Sequence, residues 1–278
     1  MLGRIRREAE KLTINGSGIQ GVESASAQYD SVGGRPISNL GIDTIQFAPN
    51  GAQTATLNIN TLLTHQLPSS YAGSKDLMQN FTGDMAFSGI IDYGSKQIKF
   101  NDAYLESYSV SCGIGEIPKT STTSVIYGDF GTGNYVGIGT TSTVVDAQLA
   151  IPSYNSMEIN LDEFKTNRVS SFSIDVATPR VPIYTVGSDR PTGVIAGTPV
   201  EVNVNFVLQV DDYEIKNMRF VPETTTFRNT KITLNKNNSA DKLLEYSFND
   251  MLLTSESFQM GADTNAGVNF NLRSFILR

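Results

Sequence analysis

The chain contains two similar segments of fourteen residues. Residues 100–113 read Phe-Asn-Asp-Ala-Tyr-Leu-Glu-Ser-Tyr-Ser-Val-Ser-Cys-Gly, and residues 248–261 read Phe-Asn-Asp-Met-Leu-Leu-Thr-Ser-Glu-Ser-Phe-Gln-Met-Gly. Seven of the fourteen positions are identical, whereas average residue usage gives roughly one identity in such a window. A repeat of this kind restricts the fold to one that two similar units can build together.

Shorter matches occur in the same order elsewhere in the chain. From them we predict an N-terminal arm over residues 1–12, a first domain over 13–142, a linker over 143–150 and a second domain over 151–278. The alternative is a single large β domain in which the matches arise by chance. The residues that define the repeat are Pro36, Gly41, Phe100, Asp102 and Gly113 in the first half, and Pro182, Gly187, Phe248, Asp250 and Gly261 in the second. The remaining matches are Ile14-Asn15 with Ile159-Asn160, and Asn58-Ile59-Asn60 with Asn203-Val204-Asn205.

Apolar and polar residues alternate in several segments of each half. Residues 200–208 read Val-Glu-Val-Asn-Val-Asn-Phe-Val-Leu, and this nearly strict period of two is typical of a half-buried strand. Residues 57–61 and 268–272 show the same alternation. We therefore predict a mainly β protein, with two tandem copies of a small antiparallel β-sandwich or barrel. Each copy is expected to add one short helix, for which residues 74–80 and 211–218 are the candidates.

The composition excludes several kinds of functional site. The sequence has a single cysteine, Cys112, and a single histidine, His65, which excludes intramolecular disulfides, multi-cysteine metal sites and histidine-cluster metal sites. It has 28 acidic and 21 basic residues, a net charge of −7, which argues against a basic nucleic-acid-binding domain. No apolar run approaches the roughly 18 residues of a membrane span. We expect no metal, no cofactor and no membrane partner.

The strongest catalytic candidates are the repeated carboxylates of Asp102 and Asp250. An Asn-Asp pair just before a strand is more often a turn whose side chains bond to the local backbone, and we favour that structural role. Cys112 has Met260 at the matching position, which indicates apolar packing rather than a nucleophile. The glycines around Gly131 lack the spacing and context of a phosphate-binding loop. We predict that the protein is not an enzyme, with a catalytic carboxylate pair as the alternative.

A family resemblance is carried by two patterns of strand and turn. Residues 171–191 form a predicted strand followed by Pro-Ile and then by an apolar residue and Gly, and residues 248–261 form a late strand that runs into a Gly-marked turn. Both patterns resemble the tail tube proteins of tailed bacteriophages. The first half repeats them more weakly, at residues 36–41 and 100–113.

The resemblance implies a fold and a role. Tube proteins form a small β-sandwich or barrel, their sheets join edge to edge into a ring, and stacked rings form a hollow conduit for DNA. Two copies in one chain imply three chains per ring with six quasi-equivalent domains, the alternative being six chains. The implied location is the tail of the virion, after assembly in the host cytoplasm. The implied partners are hub, terminator and sheath proteins, and double-stranded DNA in transit. The candidate contacts between rings are Arg4, Arg6, Arg7, Gly131, Gly133 and Tyr135.

Two other functions remain open from the sequence. A hub, initiator or terminator protein of the same tail would form a single ring. A two-domain carbohydrate-binding or adhesin module belongs to a different class and would need exposed aromatic platforms, for which Tyr29, Tyr71, Tyr93 and Tyr135 are available.

The net charge of the chain agrees with the tube function. An acidic protein suits a DNA conduit, because a wall that repels phosphate lets the duplex slide.

Overall fold

The computed structural model is mainly β, as predicted from the sequence, and the described residues contain no helix. The two predicted helices, at residues 74–80 and 211–218, lie outside the described residues. None of the described segments forms a helix long and apolar enough to cross a membrane. The described residues are 10–19, 21–30, 35–39, 42–48, 54–63, 71–72, 85–93, 96–113, 115–132, 157–162, 164–188, 190–209, 227–235, 242–261 and 264–276.

The N-terminal half, residues 10–132, contributes eleven of the described strands. They are β1 (Glu10–Ile14), β2 (Ser17–Ile19), β3 (Val22–Asp30), β4 (Arg35–Asn39), β5 (Ile42–Ala48), β6 (Thr54–Leu62), β7 (Tyr71–Ala72), β8 (Phe87–Tyr93), β9 (Gln97–Gly113), β10 (Lys119–Ile126) and β11 (Phe130–Gly131).

The C-terminal half, residues 157–276, contributes nine described strands. They are β12 (Met157–Leu161), β13 (Phe164–Thr166), β14 (Val169–Ala177), β15 (Arg180–Ile183), β16 (Gly193–Ala196), β17 (Val200–Gln209), β18 (Phe227–Asn235), β19 (Lys242–Gly261) and β20 (Thr264–Ile276).

The two halves follow the same strand order. Seven strands of the N-terminal half pair in the order β2-β1-β8-β9-β10-β6-β3, and seven of the C-terminal half in the order β13-β12-β18-β19-β20-β17-β14. Each half also has a two-stranded hairpin, β4–β5 or β15–β16, between its third and fourth main strands. One continuous sheet runs through both halves, so the division into two tandem domains stays a prediction.

The long strands β9 and β19 each pair with different strands along their length. The first part of β9 pairs with β8, and its later part pairs with β10. In the same way β19 pairs first with β18 and then with β20. Because β14 pairs with the later part of β9, the order β3-β6-β10-β9-β14-β17-β20-β19 forms a run of eight antiparallel strands. We call this run the eight-stranded sheet.

One face of the eight-stranded sheet forms the hydrophobic core. Along β17 buried and half-buried residues alternate over the whole strand, as the sequence pattern predicts. Phe206 of β17 stacks on Phe270 of β20 with ring centroids 5.0 Å apart, and both rings are buried. Phe100, one of the repeat-defining residues, is buried with its ring edge-on to Phe87.

The same backbone feature appears in both halves at the turn after the first strand. Asn15 and Asp162 both have a left-handed backbone, with φ of 48° and 54°. The Oδ1 atom of Asn15 accepts the backbone N–H of Ser88 at 2.9 Å, and Oδ1 of Asp162 accepts that of Asn229 at 2.9 Å. Asn15 therefore corresponds to Asp162, and its predicted match with Asn160 is wrong by two residues.

A second shared feature is a bulge in each long strand. Asp102 in β9 and Asp250 in β19 have φ of 48° and 51°. At each bulge two residues of the long strand lie opposite one residue of the neighbour. The prediction that the Asn-Asp pairs form turns before strands is wrong, because both pairs lie within strands. Asn and Asp tolerate the left-handed conformation better than most residues, which explains the residue type at these positions.

The bulge at Asp250 gives a prediction about stability. Asp250→Val places a β-branched side chain on a left-handed backbone and should lower the free energy of unfolding by about 1–2 kcal/mol. Asp250→Gly should leave it within about 0.5 kcal/mol of the wild-type value or raise it. The measurement is denaturant unfolding, with Ser247→Val, an exposed site on the same strand, as control. Equal losses in the Asp250→Val and Ser247→Val variants would contradict the prediction.

Candidate functional site, an assembly surface

The two halves are joined by backbone pairing of β14 with residues 107–113 of β9, which we call the internal joint. The register runs from Ser171 opposite Gly113 to Ala177 opposite Ser107. On the core side Ile174 lies opposite Val110, and both are at most 1% exposed. The internal joint therefore combines a ladder of backbone hydrogen bonds with buried apolar side chains on its core side.

The chain that follows β14 extends the internal joint along β9. The backbone N–H of Thr178 donates to the carbonyl of Glu106 at 2.8 Å. Arg180 then donates from Nε to the carbonyl of Leu105 at 2.5 Å, and its guanidinium lies 5.7 Å from the ring centroid of Tyr104. A guanidinium over an aromatic face adds a cation–π attraction to the hydrogen bond.

The β15–β16 hairpin and its loop cover part of the N-terminal half. Arg190 of the loop forms an ion pair with Asp129 at 2.5 Å. Burial raises the pKa of the Tyr127 hydroxyl, with a smaller contribution from nearby Tyr184. Tyr127 is only 7% exposed as a result of this cover. The C-terminal half thus contacts the N-terminal half in two ways, through the pairing of β14 with β9 and through the β15–β16 hairpin with its loop, which we call the hairpin clamp.

The face of the eight-stranded sheet opposite the core is lined mainly by small polar side chains, of which only Asp175 in the list below carries a charge, and we call it the polar face. Register and alternation place them in rows across the strands. Asn60 donates to Ser24 at 3.0 Å, and the corresponding Asn205 donates to Ser173 at 3.3 Å. Its residues are Ser24, Ser26, Thr56, Asn58, Asn60, Ser107, Ser109, Ser111, Ser121, Thr123, Ser171, Ser173, Asp175, Asn203, Asn205, Ser255, Ser257, Asn269 and Asn271.

Charges in the rows of the polar face are largely paired. Lys119 pairs with Glu23 at 2.9 Å, and Arg273 pairs with Glu201 at 2.8 Å. Hydrogen bonds from Asn203 and Arg273 lower the pKa of the Glu201 carboxyl. Asp175 lies within the face, and burial raises the pKa of its carboxyl. The polar face is therefore close to neutral, in contrast to the net charge of the chain.

The two ends of the eight-stranded sheet each have an edge without a partner among the described strands. β3 pairs there with β6 alone, and residues 255–261 of β19 pair with β20 alone. Neither segment contains Lys or Pro, which natural proteins often place on edges to prevent association, although Glu256 lies on the core side of its edge, opposite Phe270. Sequence reasoning missed both edges, because pairing partners cannot be read from the alternation of a single strand.

The structure places several repeat-defining residues in matching positions. Gly113 and Gly261 end β9 and β19. Pro36 and Pro182 lie in the first strands of the two hairpins, opposite Phe47 and Val194. Gly187 has a φ of 90° in the hairpin loop, which favours glycine. Phe248 packs half-buried against the core.

The predicted ring-contact residues fall almost entirely outside the described part of the chain. Gly131 is described and lies in β11, opposite Lys99 of β9, with a φ of 144°. It thus belongs to the edge of a sheet rather than to a free loop. The other predicted ring contacts, Arg4, Arg6, Arg7, Gly133 and Tyr135, lie outside the described ranges, as does Gly41 of the repeat-defining residues.

The residues weighed for catalysis are not brought into one site. Cys112 is 2% exposed, and burial, with a smaller effect of Glu116, raises the pKa of its thiol to about 11. Asp102 and Asp250 occupy corresponding bulges in different halves. Within the described residues no group of three or more His, Cys, Asp or Glu side chains could hold a metal ion. His65 lies outside the described residues.

Comparison with known proteins adds no family assignment. Neither a scan against protein-family models nor a search of curated proteins gives a match to this chain.

The environment of Cys112 predicts its reactivity. With a pKa of about 11, the thiolate fraction at pH 8 is about 100-fold below that of an ordinary thiol. The folded protein should therefore react with Ellman's reagent at least 100-fold more slowly than glutathione. One equivalent should react after unfolding in guanidinium chloride, since the sequence has a single cysteine. Reaction of the folded protein at the rate of glutathione would contradict the burial of this thiol.

The raised pKa of Asp175 predicts a pH dependence of stability. A carboxyl whose folded pKa exceeds its unfolded value binds a proton more tightly when folded, so its ionisation destabilises the fold at neutral pH. Asp175→Asn should raise the melting temperature at pH 7, and the gain should shrink as the pH falls through the carboxyl range. Thermal unfolding at pH 7 and pH 4, at one protein concentration, measures this. A gain that is the same at both pH values would mean that the charge of Asp175 is not responsible.

Proposed function

We propose that the chain is the subunit of a bacteriophage tail tube. Its sheets join into closed rings, and the rings stack into a hollow conduit through which double-stranded DNA passes. It acts as a structural protein without catalysis. Its location is the tail of the virion, and its partners are further copies of itself and the other proteins of the tail.

The observation that carries the proposal is the eight-stranded antiparallel sheet, which has the hydrophobic core on one side and the polar face on the other. Both edges of this antiparallel sheet are without a partner among the described strands, and pairing with the edges of further copies of the chain would satisfy them in a closed ring. Three chains give 24 strands. With strands about 4.8 Å apart and tilted by about 40°, a barrel of that size has a backbone diameter of roughly 48 Å. Two chains give only about 32 Å by the same estimate, which side chains would narrow to about the width of a double helix.

The repeated strand order supports the count of three chains. Both halves present the same seven strands in the same order, and we infer that they are diverged copies of one unit. Three chains then provide six similar units around the ring. A ring of six chains would contain 48 strands of this kind and roughly double the diameter.

The polar face suits the wall of a DNA channel. Affinity for DNA comes chiefly from cations that neutralise phosphates, and the cations that lie in the rows of this face, Lys119 and Arg273, are each paired with a glutamate. From the sequence alone, we attributed weak binding of DNA to an acidic channel wall. The polar face supports a different cause, a nearly neutral surface on which Lys119 and Arg273 are already paired with carboxylates.

Electron microscopy of the purified protein over a concentration series, with mass photometry, tests this function. We expect rings of three chains that stack into hollow tubes as the concentration rises. Rings that never stack would instead support a hub, initiator or terminator protein. A monomer at every concentration would contradict the ring and favour a binding module.

One observation favours the carbohydrate-binding alternative. A cleft of about 440 Å³ is lined by Tyr29, Tyr127, Phe130, Asp129 and Arg190, among others. Exposed tyrosines and a carboxylate can bind sugars, and Tyr29 is 46% exposed. A glycan array with the monomeric protein distinguishes the two functions. Binding that is lost on Tyr29→Ala would support the module.

A further inference from the structure

We propose that β3 of one chain pairs with residues 255–261 of β19 in a second copy, in the register that β14 and β9 use within the chain. The chains then join head to tail through a copy of the internal joint. The proposal rests on the ring-forming part of the proposed function and specifies its interface. It is carried by the correspondence between the two halves.

The correspondence identifies which residues would meet. Asn60 and Asn205 occupy the same place in the Asn-x-Asn match, and their partners across the ladder are Ser24 and Ser173. β3 of the N-terminal half therefore corresponds to β14 of the C-terminal half. Residues 255–261 correspond to residues 107–113, because the fourteen-residue repeat contains both.

The internal joint gives the register of the proposed one. Within the chain Ile174 lies opposite Val110, and Asp175 lies opposite Ser109. The corresponding residues between chains are Ala25 opposite Phe258, and Ser26 opposite Ser257. Pairing in this register continues the polar face from one chain into the next.

On the core side of the proposed joint one pair is complementary in size, and beside it Ala27 lies opposite Glu256, where the internal joint has Val176 opposite Tyr108. The internal pair is Ile174 with Val110, and the pair between chains is Ala25 with Phe258. A smaller residue on one strand thus meets a larger one on the other, which conserves the packed volume to a first approximation. Phe258 is 41% exposed in the single chain, whereas Val110 is 1% exposed.

The positions that the hairpin clamp buries in one half have exposed aromatic counterparts in the other. Tyr127 is 7% exposed, and its counterpart in β20, Phe275, is 46% exposed. Thr178, which follows β14, is fully buried, and its counterpart Tyr29 at the end of β3 is 46% exposed. In the single chain, therefore, Phe275 and Tyr29 are exposed at positions whose counterparts, Tyr127 and Thr178, are buried beside the internal joint.

Paired cysteines test the proposed register directly. A chain with Ser26→Cys and Ser257→Cys should form disulfides between chains under mild oxidation, because facing residues of antiparallel strands lie within disulfide range. The two positions lie at opposite ends of eight strands, roughly 30 Å apart within one chain, so a bond between them must be intermolecular. We expect covalent dimers and trimers on a non-reducing gel, ending at the trimer.

Three control variants make the result specific. The chain with Ser26→Cys alone and the chain with Ser257→Cys alone should give no covalent ladder. Shifting one cysteine by two residues, in a chain with Ser24→Cys and Ser257→Cys, should slow the reaction at least tenfold. The buried Cys112 can stay in all variants, and Cys112→Ala repeats the test without it.

A substitution on the core side of the edge provides a second measurement. Phe258→Glu should raise the concentration needed for ring formation at least tenfold, because it buries a carboxylate in the proposed joint. Val186→Glu is the matched control, since Val186 is fully exposed on the hairpin loop, and it should leave ring formation unchanged. Both variants should melt as the wild-type monomer does.

The outcomes separate this interface from the tube function. Crosslinks in the predicted register without tubes would uphold the joint and overturn the tube. Tubes or rings without these crosslinks, or with crosslinks in the shifted register, would overturn the joint and leave the tube. Disulfides between two Ser26→Cys chains would also overturn it, because they indicate a symmetric dimer.

Discussion

The pairing of β14 with the later part of β9 is the interaction on which the rest of the architecture depends. Without it the strands β3, β6, β10 and β9 would form one sheet, and the strands β14, β17, β20 and β19 would form another. With it the two inner sheets become one sheet of eight strands. The apolar contact of Ile174 with Val110 and the clamp of Arg180 on β9 lie beside this ladder. Because backbone pairing demands one register, it also aligns the polar rows of both halves.

The bulges at Asp102 and Asp250 make that pairing possible. A strand that stays straight has the same neighbours along its length, whereas β9 and β19 exchange one neighbour for another after the bulge. The bulge bends the strand and increases its twist, and beyond it each long strand has different neighbours from those before it. The edge that β8 leaves is then available to β14 in the N-terminal half. In the C-terminal half the corresponding edge beyond β18 has no partner among the described strands.

The sequence was informative wherever one residue pattern decides the structure. Alternation along residues 200–208 predicted β17, and the fourteen-residue repeat identified β9 and β19 as counterparts. It misplaced the Asn-Asp pairs, because a left-handed residue inside a strand leaves the same residue types as a turn. It missed the internal joint altogether, since pairing between β14 and β9 joins segments about 60 residues apart. The polar face was visible only as a high content of Ser, Thr and Asn until the registers placed those residues in rows.

The difference between the internal joint and the two open edges has a physical reason. Within one chain β14 and β9 are covalently connected, so their effective concentration is high and the pairing can be permanent. Between chains the same ladder must form from free subunits and must not close on the wrong partner. Ala25 offers less apolar area than Ile174, which keeps β3 from presenting a strongly hydrophobic edge in the free chain. In the proposed joint the larger Phe258 buries apolar area only when it lies opposite Ala25 of a second copy. The stability of the joint therefore depends on both edges pairing in one register.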